Sequence, residues 1–339
     1  MLPLAKWAVA LLSLGLLLWL VDWRGSVGLL RRVEPGLALA AWGLDLSCVL
    51  VSAWKWRRLL AALEVRVGLG ALFRVYWIGA FVSGLLPSTV GGDVVRAALT
   101  RRYAGAAPVA ASIVVERLTG FLVLLLLALA AVLARPDLLA GAQGGRQLQT
   151  AVVLALGGGC AALLAAGGLI LRPRFLPRRL AAGPVDGRPV DGGRGGWSGR
   201  VLGFAARLRA ALAGYAGRPG ALLAACAVSV PFYVLIAAFQ YAVIRAIEVE
   251  VASGDILAIA PLVTVIAALP AAPNGIGTSE AAFVLLYTQA GLSPEEALAA
   301  ALLRRLVLTL TALTGGLLWL AARGDDARRR RQESSAEPA

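Results

Sequence analysis

Seven ionisable residues stand beside or inside apolar runs: Asp93, Arg96, Glu116, Arg117, Glu280, Arg304 and Arg305. A charge at bilayer depth costs about 2.5–3.5 kcal/mol or more, so it is kept for a partner or for a use. Three acids and four bases leave one net positive charge, which suits a ligand carrying a phosphate. Gly91 and Gly92 would let backbone approach a ligand, and Asp93 fits the N-cap of a helix running on through Arg96. Arg96, three positions on, shares the face of Asp93. Pro273, Asn274, Gly275 and Gly277 break the chain before Glu280, where Thr278 or Ser279 would cap the next helix; Pro87 marks the first break. Two broken helices would offer free N–H groups and positive dipole ends to an anion. Arginine adds bidentate contacts to phosphate. Plainer roles stand beside these. Asp93 and Glu280 also fit ordinary helix caps. Glu116–Arg117 and Arg304–Arg305 also fit side chains that snorkel to an interface.

Other chemistries are excluded by composition. The 339 residues contain no histidine, which removes a histidine base, a Ser-His-Asp triad and histidine-ligated metal. Cys48, Cys160 and Cys226 lie singly in separate apolar runs and read as small buried hydrophobes, not as a metal or disulfide set. No phosphate-binding glycine loop or dinucleotide fingerprint occurs, so no cofactor is expected.

These residues must be positioned by membrane helices. Hydrophobic residues make up 59% of the chain, against about 45–50% in a soluble domain, and the mean hydropathy is +0.79. Six runs are long enough to span: 4–21, 37–54, 112–134, 151–171, 221–244 and 303–322. Two shorter regions, 71–86 and 256–270 with its continuation to 291, are broken by Pro and Gly and read as re-entrant hairpins. The unit of span, hairpin and span then occurs twice, at 37–134 and 221–322, in opposite orientation, which is a transporter plan. The predicted fold is an all-α polytopic membrane helix bundle of about six full spans plus two re-entrant hairpins. Residues 1–322 would form one transmembrane domain. Within it, 172–200 would be a flexible basic cytoplasmic loop; 323–339 would be a disordered cytoplasmic tail.

The net charge of +14 would suggest nucleic acid in a soluble protein. With the N-terminus in the cytoplasm, 23 of the 33 basic residues fall on inner segments and 6 on outer ones. That asymmetry orients both termini to the cytoplasm and makes nucleic acid unnecessary. Residues 201–216 read either as an interfacial amphipathic helix or as a solvated helix continuing into the next span. Gly157–Gly159, Gly167 and Gly168 read as helix-packing surfaces, and Trp54 and Trp56 as interface anchors beside Lys55.

The strings at 73–97, 115–120, 269–280 and 302–306 resemble the lysylphosphatidylglycerol synthase transmembrane region, a flippase-like membrane family, over nearly the whole chain. The family's GGDxxR pattern falls on Gly91, Gly92, Asp93 and Arg96. Its Glu-Arg pair falls on Glu116 and Arg117. Its proline-glycine-glutamate pattern falls on Pro273, Gly275, Gly277 and Glu280, and its last-helix arginine on Arg305. The resemblance implies a multi-pass protein of a bacterial or archaeal cytoplasmic membrane that moves a phospholipid or lipid-linked headgroup between leaflets. Relatives that aminoacylate lipid do so with a separate soluble domain. Only 17 residues follow the last predicted span, so no aminoacyltransferase domain, and no aminoacylation, is expected here. Two rivals stay open: a membrane-embedded enzyme using Asp93 or Glu280 as base, and a membrane subunit docking a cytoplasmic lipid-modifying transferase on 172–218. A homo-oligomer is compatible with either.

Overall fold

The computed structural model describes residues 11, 12, 15, 21–85, 90–139, 145–171, 197–269 and 271–335. Among them are eleven α-helices and no strand. In chain order they are α1 (Trp23–Leu30), α2 (Pro35–Ala62), α3 (Leu69–Leu85), α4 (Val90–Ala104), α5 (Ala106–Ala134), α6 (Gly145–Leu171) and α7 (Trp197–Ala213), followed by α8 (Pro219–Ala246), α9 (Ser253–Ala268), α10 (Thr278–Thr288) and α11 (Pro294–Ser335). Their starts are written in the sequence. Pro35, Pro219 and Pro294 occupy first helical positions, where a missing N–H costs nothing. Ahead of α11, Glu296 N donates to Ser293 Oγ at 3.2 Å and Ser293 N donates to Glu296 Oε2 at 2.8 Å, a reciprocal cap.

Five helices among the described residues are long and apolar enough to cross a membrane: α2, α5, 146–169 within α6, α8, and 294–321 within α11. They correspond to five of the six predicted spans; the first, 4–21, lies mostly outside the described residues. The short apolar helices at 69–84 and 253–268 fall where the hairpins were expected. At 17 and 16 residues, α3 and α9 are shorter than the roughly 20 needed to span.

The same succession therefore occurs twice: long helix, two short helices, long helix. The ends of α2 and α8 sharpen the likeness. Each is 28 residues long and is followed two positions on by a glutamate in left-handed backbone, Glu64 at φ 65° and Glu248 at φ 63°. The flanking sequences are Ala62-Leu63-Glu64-Val65-Arg66-Val67 and Ala246-Ile247-Glu248-Val249-Glu250-Val251. A left-handed residue just past the last turn is a common way to close a helix, and both long helices end this way.

The chain forms two compact units. The first comprises residues 1–50, 73–96 and 235–339. Within it α1 lies on α11, where Ser26 Oγ donates to Glu295 O at 3.1 Å, and α10 packs between α9 and α11. The α3 helix packs against α11. Trp77 Nε1 donates to Thr311 O at 2.7 Å, and the Phe81 and Trp319 rings lie 6.3 Å apart. Gly315 and Gly316 make this approach possible, because a Cβ there would strike Trp77 and Phe81. The second unit comprises 51–72 and 97–234. Its core includes Leu59, Val115, Tyr215 and Ala225, with Tyr215 donating to Leu59 O at 2.9 Å.

Several expectations are corrected. Trp56 is fully buried and donates to Ser112 Oγ at 2.9 Å, so it is a core residue and not an interface anchor; Trp54 is 37% exposed. The segment at 201–216 does not continue into the next span. It is α7, packed on α5, and the turn around Tyr215 separates it from α8. Gly157, Gly158, Gly167 and Gly168 have open space beside them, and only Gly159 of that set meets a neighbour, Leu125. Helix α11 is helical through Ser335, inside the tail expected to be disordered; Ala, Arg, Gln and Glu are good helix formers. The loop at 172–196 lies outside the described residues.

Candidate functional site

The second break is built by three positive-φ residues within four positions. Asn274 has φ 50°, Gly275 φ 66° and Gly277 φ 79°. Pro273 opens a short 3-10 turn and is buried with Gly275. Gly277 is the N-cap of α10, not Thr278 or Ser279 as the sequence suggested. Glu280 supplies what a glycine cap lacks: its Oε2 accepts from Gly277 N at 2.7 Å.

Arg305 of α11 reaches across this turn. Its Nε donates to Glu280 Oε1 at 2.7 Å and its Nη1 to Asn274 O at 3.2 Å. Its Nη2 donates to Gly275 O at 3.2 Å and Ser279 Oγ at 2.7 Å. One guanidinium thus closes two backbone carbonyls, one hydroxyl and one carboxylate, and Glu280 has both oxygens occupied. Arg305 was expected to meet a headgroup. Four of its five N–H donors go to the break itself, and it acts as a latch on the turn.

Arg304, its neighbour, is different. The ionisable groups acting on it are Arg305, Glu280, Tyr287 and Asp45. Its Nη1 is buried with no hydrogen-bond partner among the described residues. Tyr287 is fully buried and donates to Gln240 Oε1 at 2.9 Å. Asp45, midway along α2, is half-buried and faces Arg304 and Thr311 of α11.

At the first break, α3 and α4 form an antiparallel hairpin. Gly92 lies against Gly79 and Ser83, while Arg96, one turn later, lies against Tyr76 and Gly79. Helix α4 is already formed at Val90, so Gly91, Gly92 and Asp93 sit inside its first turn and Asp93 is not its N-cap. Asp93 Oδ1 accepts from Arg96 Nη1 at 3.1 Å, as the three-residue spacing anticipated. The Arg96 guanidinium carbon stands 3.9 Å from the Tyr76 ring centroid, a cation–π contact in a buried setting. Pro87 lies outside the described residues.

Both breaks belong to the first unit. Trp77 meets α11 at Thr311 through its indole and at Gly315 through its backbone. Asp45 faces Arg304 and Thr311. The first unit thus carries Asp45, Asp93 and Glu280 against Arg96, Arg304 and Arg305, a balanced set.

Glu116 and Arg117 belong to the second unit. Glu116 is buried, and its backbone carbonyl accepts from Lys55 Nζ at 3.0 Å. Lys55 also donates to Ser229 Oγ at 2.7 Å and is only 6% exposed. Arg117 is exposed. Lys55→Ala should cost about 2–4 kcal/mol through two lost bonds and the cavity left behind, read as a lower melting temperature in detergent.

Lys55, Asp45, Tyr76, Gln240 and Tyr287 were all missed by sequence reasoning. For Asp45 the signal was present: an acid in the middle of a span meets the same insertion-cost criterion as the others. Lys55 was hidden between two tryptophans, the usual mark of an interface. The uncharged three carry no such mark.

Among the described residues no group of three or more His, Cys, Asp or Glu is arranged to hold a metal. A comparison with curated proteins gives no match. The family model for the lysylphosphatidylglycerol synthase transmembrane region matches residues 5–316, and the chain belongs to that family.

Proposed function

We propose that this chain is a lipid translocator of a bacterial cytoplasmic membrane, with both termini in the cytoplasm, moving a phospholipid or lipid-linked headgroup between leaflets. The observation that carries the reading is the set of three acids and three arginines within one apolar unit, four of them at the two helix breaks. Charge at such depth is retained for a use, and balanced charge suits a headgroup bearing phosphate together with an amine. Arg96 and Arg304 would meet the phosphate; Asp93 and Asp45 would meet an amine. Arg305 and Glu280 hold the second break in shape. Arg117, exposed on α5, is not assigned to the headgroup. The breaks enter the membrane and turn back.

The enzyme reading is weaker. Asp93 and Glu280 are both engaged by arginines, so each carboxylate has a structural partner already.

The test is reconstitution into vesicles carrying labelled phospholipids of different headgroups. Wild type should move at least one of them well above background. Asp93→Asn and Arg96→Ala should lose most of that movement while keeping the wild-type elution profile. Background rates for the wild type with every headgroup would refute the reading, as would wild-type rates in both variants.

A further inference from the structure

We propose that one end of the second unit, where α2 and α4 finish and α5 and α8 begin, is a docking surface for the anionic phospholipids of one leaflet. It does not rest on the translocator reading, since the helix breaks belong to the first unit and this surface to the second.

Hydrogen bonds and one ion pair bring these helix ends together. Arg218 Nη2 lies 2.8 Å from Glu64 Oε1, and Lys55 Nζ donates to Ser229 Oγ at 2.7 Å. Moving forward along α8 thus means moving back along α2, so the two run antiparallel and the end of α2 shares a level with the start of α8. Lys55 Nζ also donates to Glu116 O at 3.0 Å, and one turn on Tyr233 donates to Gly120 O at 2.9 Å. Glu116 and Gly120 of α5 therefore keep step with Ser229 and Tyr233 of α8, and α5 begins at the same end. The last turn of α4 is tied to that start, because Gly105 N, at the N-cap of α5, donates to Arg101 O at 2.7 Å.

This end is strongly basic. Arg57 and Arg58 in the last two turns of α2, Arg66 in the turn that follows, and Arg101 and Arg102 in the last turn of α4 are all exposed. Within 51–72, 97–115 and 203–225 the one acid is Glu64, and Arg218 engages it. Like charges so unopposed favour an anionic partner. A leaflet fits better than an acidic protein, because the cations are stacked on exposed rings in the order that a bilayer interface sets. On one face of α2, itself an apolar span, exposed Trp54 is followed one turn on by Arg58, whose guanidinium carbon stands 4.8 Å from the Trp54 ring centroid. Beside the start of α5, Arg102 Nη2 donates to the hydroxyl of exposed Tyr103 at 3.0 Å, and its guanidinium carbon lies 4.9 Å from that ring. Such rings settle at headgroup level, and the arginines beside them reach phosphate. The amine of a zwitterionic headgroup would find Glu64 already taken, so the surface selects lipids of net negative charge.

Full-length protein in detergent is offered equal amounts of phosphatidylglycerol and phosphatidylcholine with the same acyl chains, and the lipids that stay bound are counted by native mass spectrometry. Wild type should retain phosphatidylglycerol in clear excess, and the excess should shrink as salt rises in the incubation. Arg58→Gln should lower it about fivefold, and the combined change Arg57→Gln, Arg58→Gln, Arg101→Gln and Arg102→Gln should bring the two lipids near parity. Lysine at the same four positions should keep most of the excess, which separates lost charge from disturbed packing. All of these side chains are exposed, so elution and melting temperature should stay those of the wild type. Equal retention of the two lipids by the wild type would overturn the surface and leave an acidic protein segment as its occupant. An undiminished excess in the fourfold glutamine variant would overturn it too.

Discussion

Arg305→Ala should lower stability by about 3–5 kcal/mol, the largest loss expected from any single charge here. The reason is what it leaves behind. Glu280 is 3% exposed, and it would keep one N–H partner while losing its only bonded cation. Two carbonyls of the broken turn and the Ser279 hydroxyl would lose their donor in the same step. Lysine should rescue little, because a single ammonium cannot reach a carboxylate, two carbonyls and a hydroxyl from one position. Glu280→Gln should cost less, since its side-chain oxygen can still accept from Gly277. Thermal unfolding in detergent, followed by the fluorescence of the nine tryptophans, gives the order wild type, Glu280→Gln, Arg305→Lys, Arg305→Ala. An Arg305→Ala protein that melts with the wild type would show that the latch carries no weight.

Glycine replacements should divide by sign. A Cβ at Gly92 would collide with the Gly79 carbonyl and the Ser83 hydroxyl, and one at Gly315 with the Trp77 carbonyl and ring. Backbone must give way in both, which costs about 1–3 kcal/mol of overpacking. Gly158→Ala and Gly168→Ala meet open space inside a helix and should stabilise by about 0.5–1 kcal/mol. Gly79→Ala is intermediate and informative. Its Cβ meets the root of the buried Arg96 side chain and stands 3.2 Å from the Gly92 carbonyl, so Arg96 should leave the Tyr76 ring at a cost below that of Gly92→Ala. Melting temperatures of the five variants measure the division. Equal shifts at Gly92 and Gly158 would mean that α3 and α4 do not approach as described.

Membrane character, five of the spans and both helix breaks were legible because apolar run length and Pro-Gly interruption are local properties. The Asp93–Arg96 pair was legible for the same reason, being one helical turn. Which of two adjacent arginines closes the second break was not. Arg304 and Arg305 look alike in sequence, and only the register of α11 against α10 separates a saturated latch from a donor left open. Glycine function was illegible in the same way: Gly157–Gly159 look like a packing surface and mostly are not, whereas Gly79, Gly92, Gly315 and Gly316 are. Close approach is decided by what arrives from elsewhere in the chain. Lys55 shows the limit from the other side, since its bonds go to Glu116 and Ser229, 61 and 174 positions away.

The two like successions of helices are not self-contained. Through Trp77 and Phe81 the early hairpin is seated on α11, more than 200 positions later in the chain. A fragment ending before α11 would leave both rings without their seat, so the first hairpin takes its place only once the last long helix has been made.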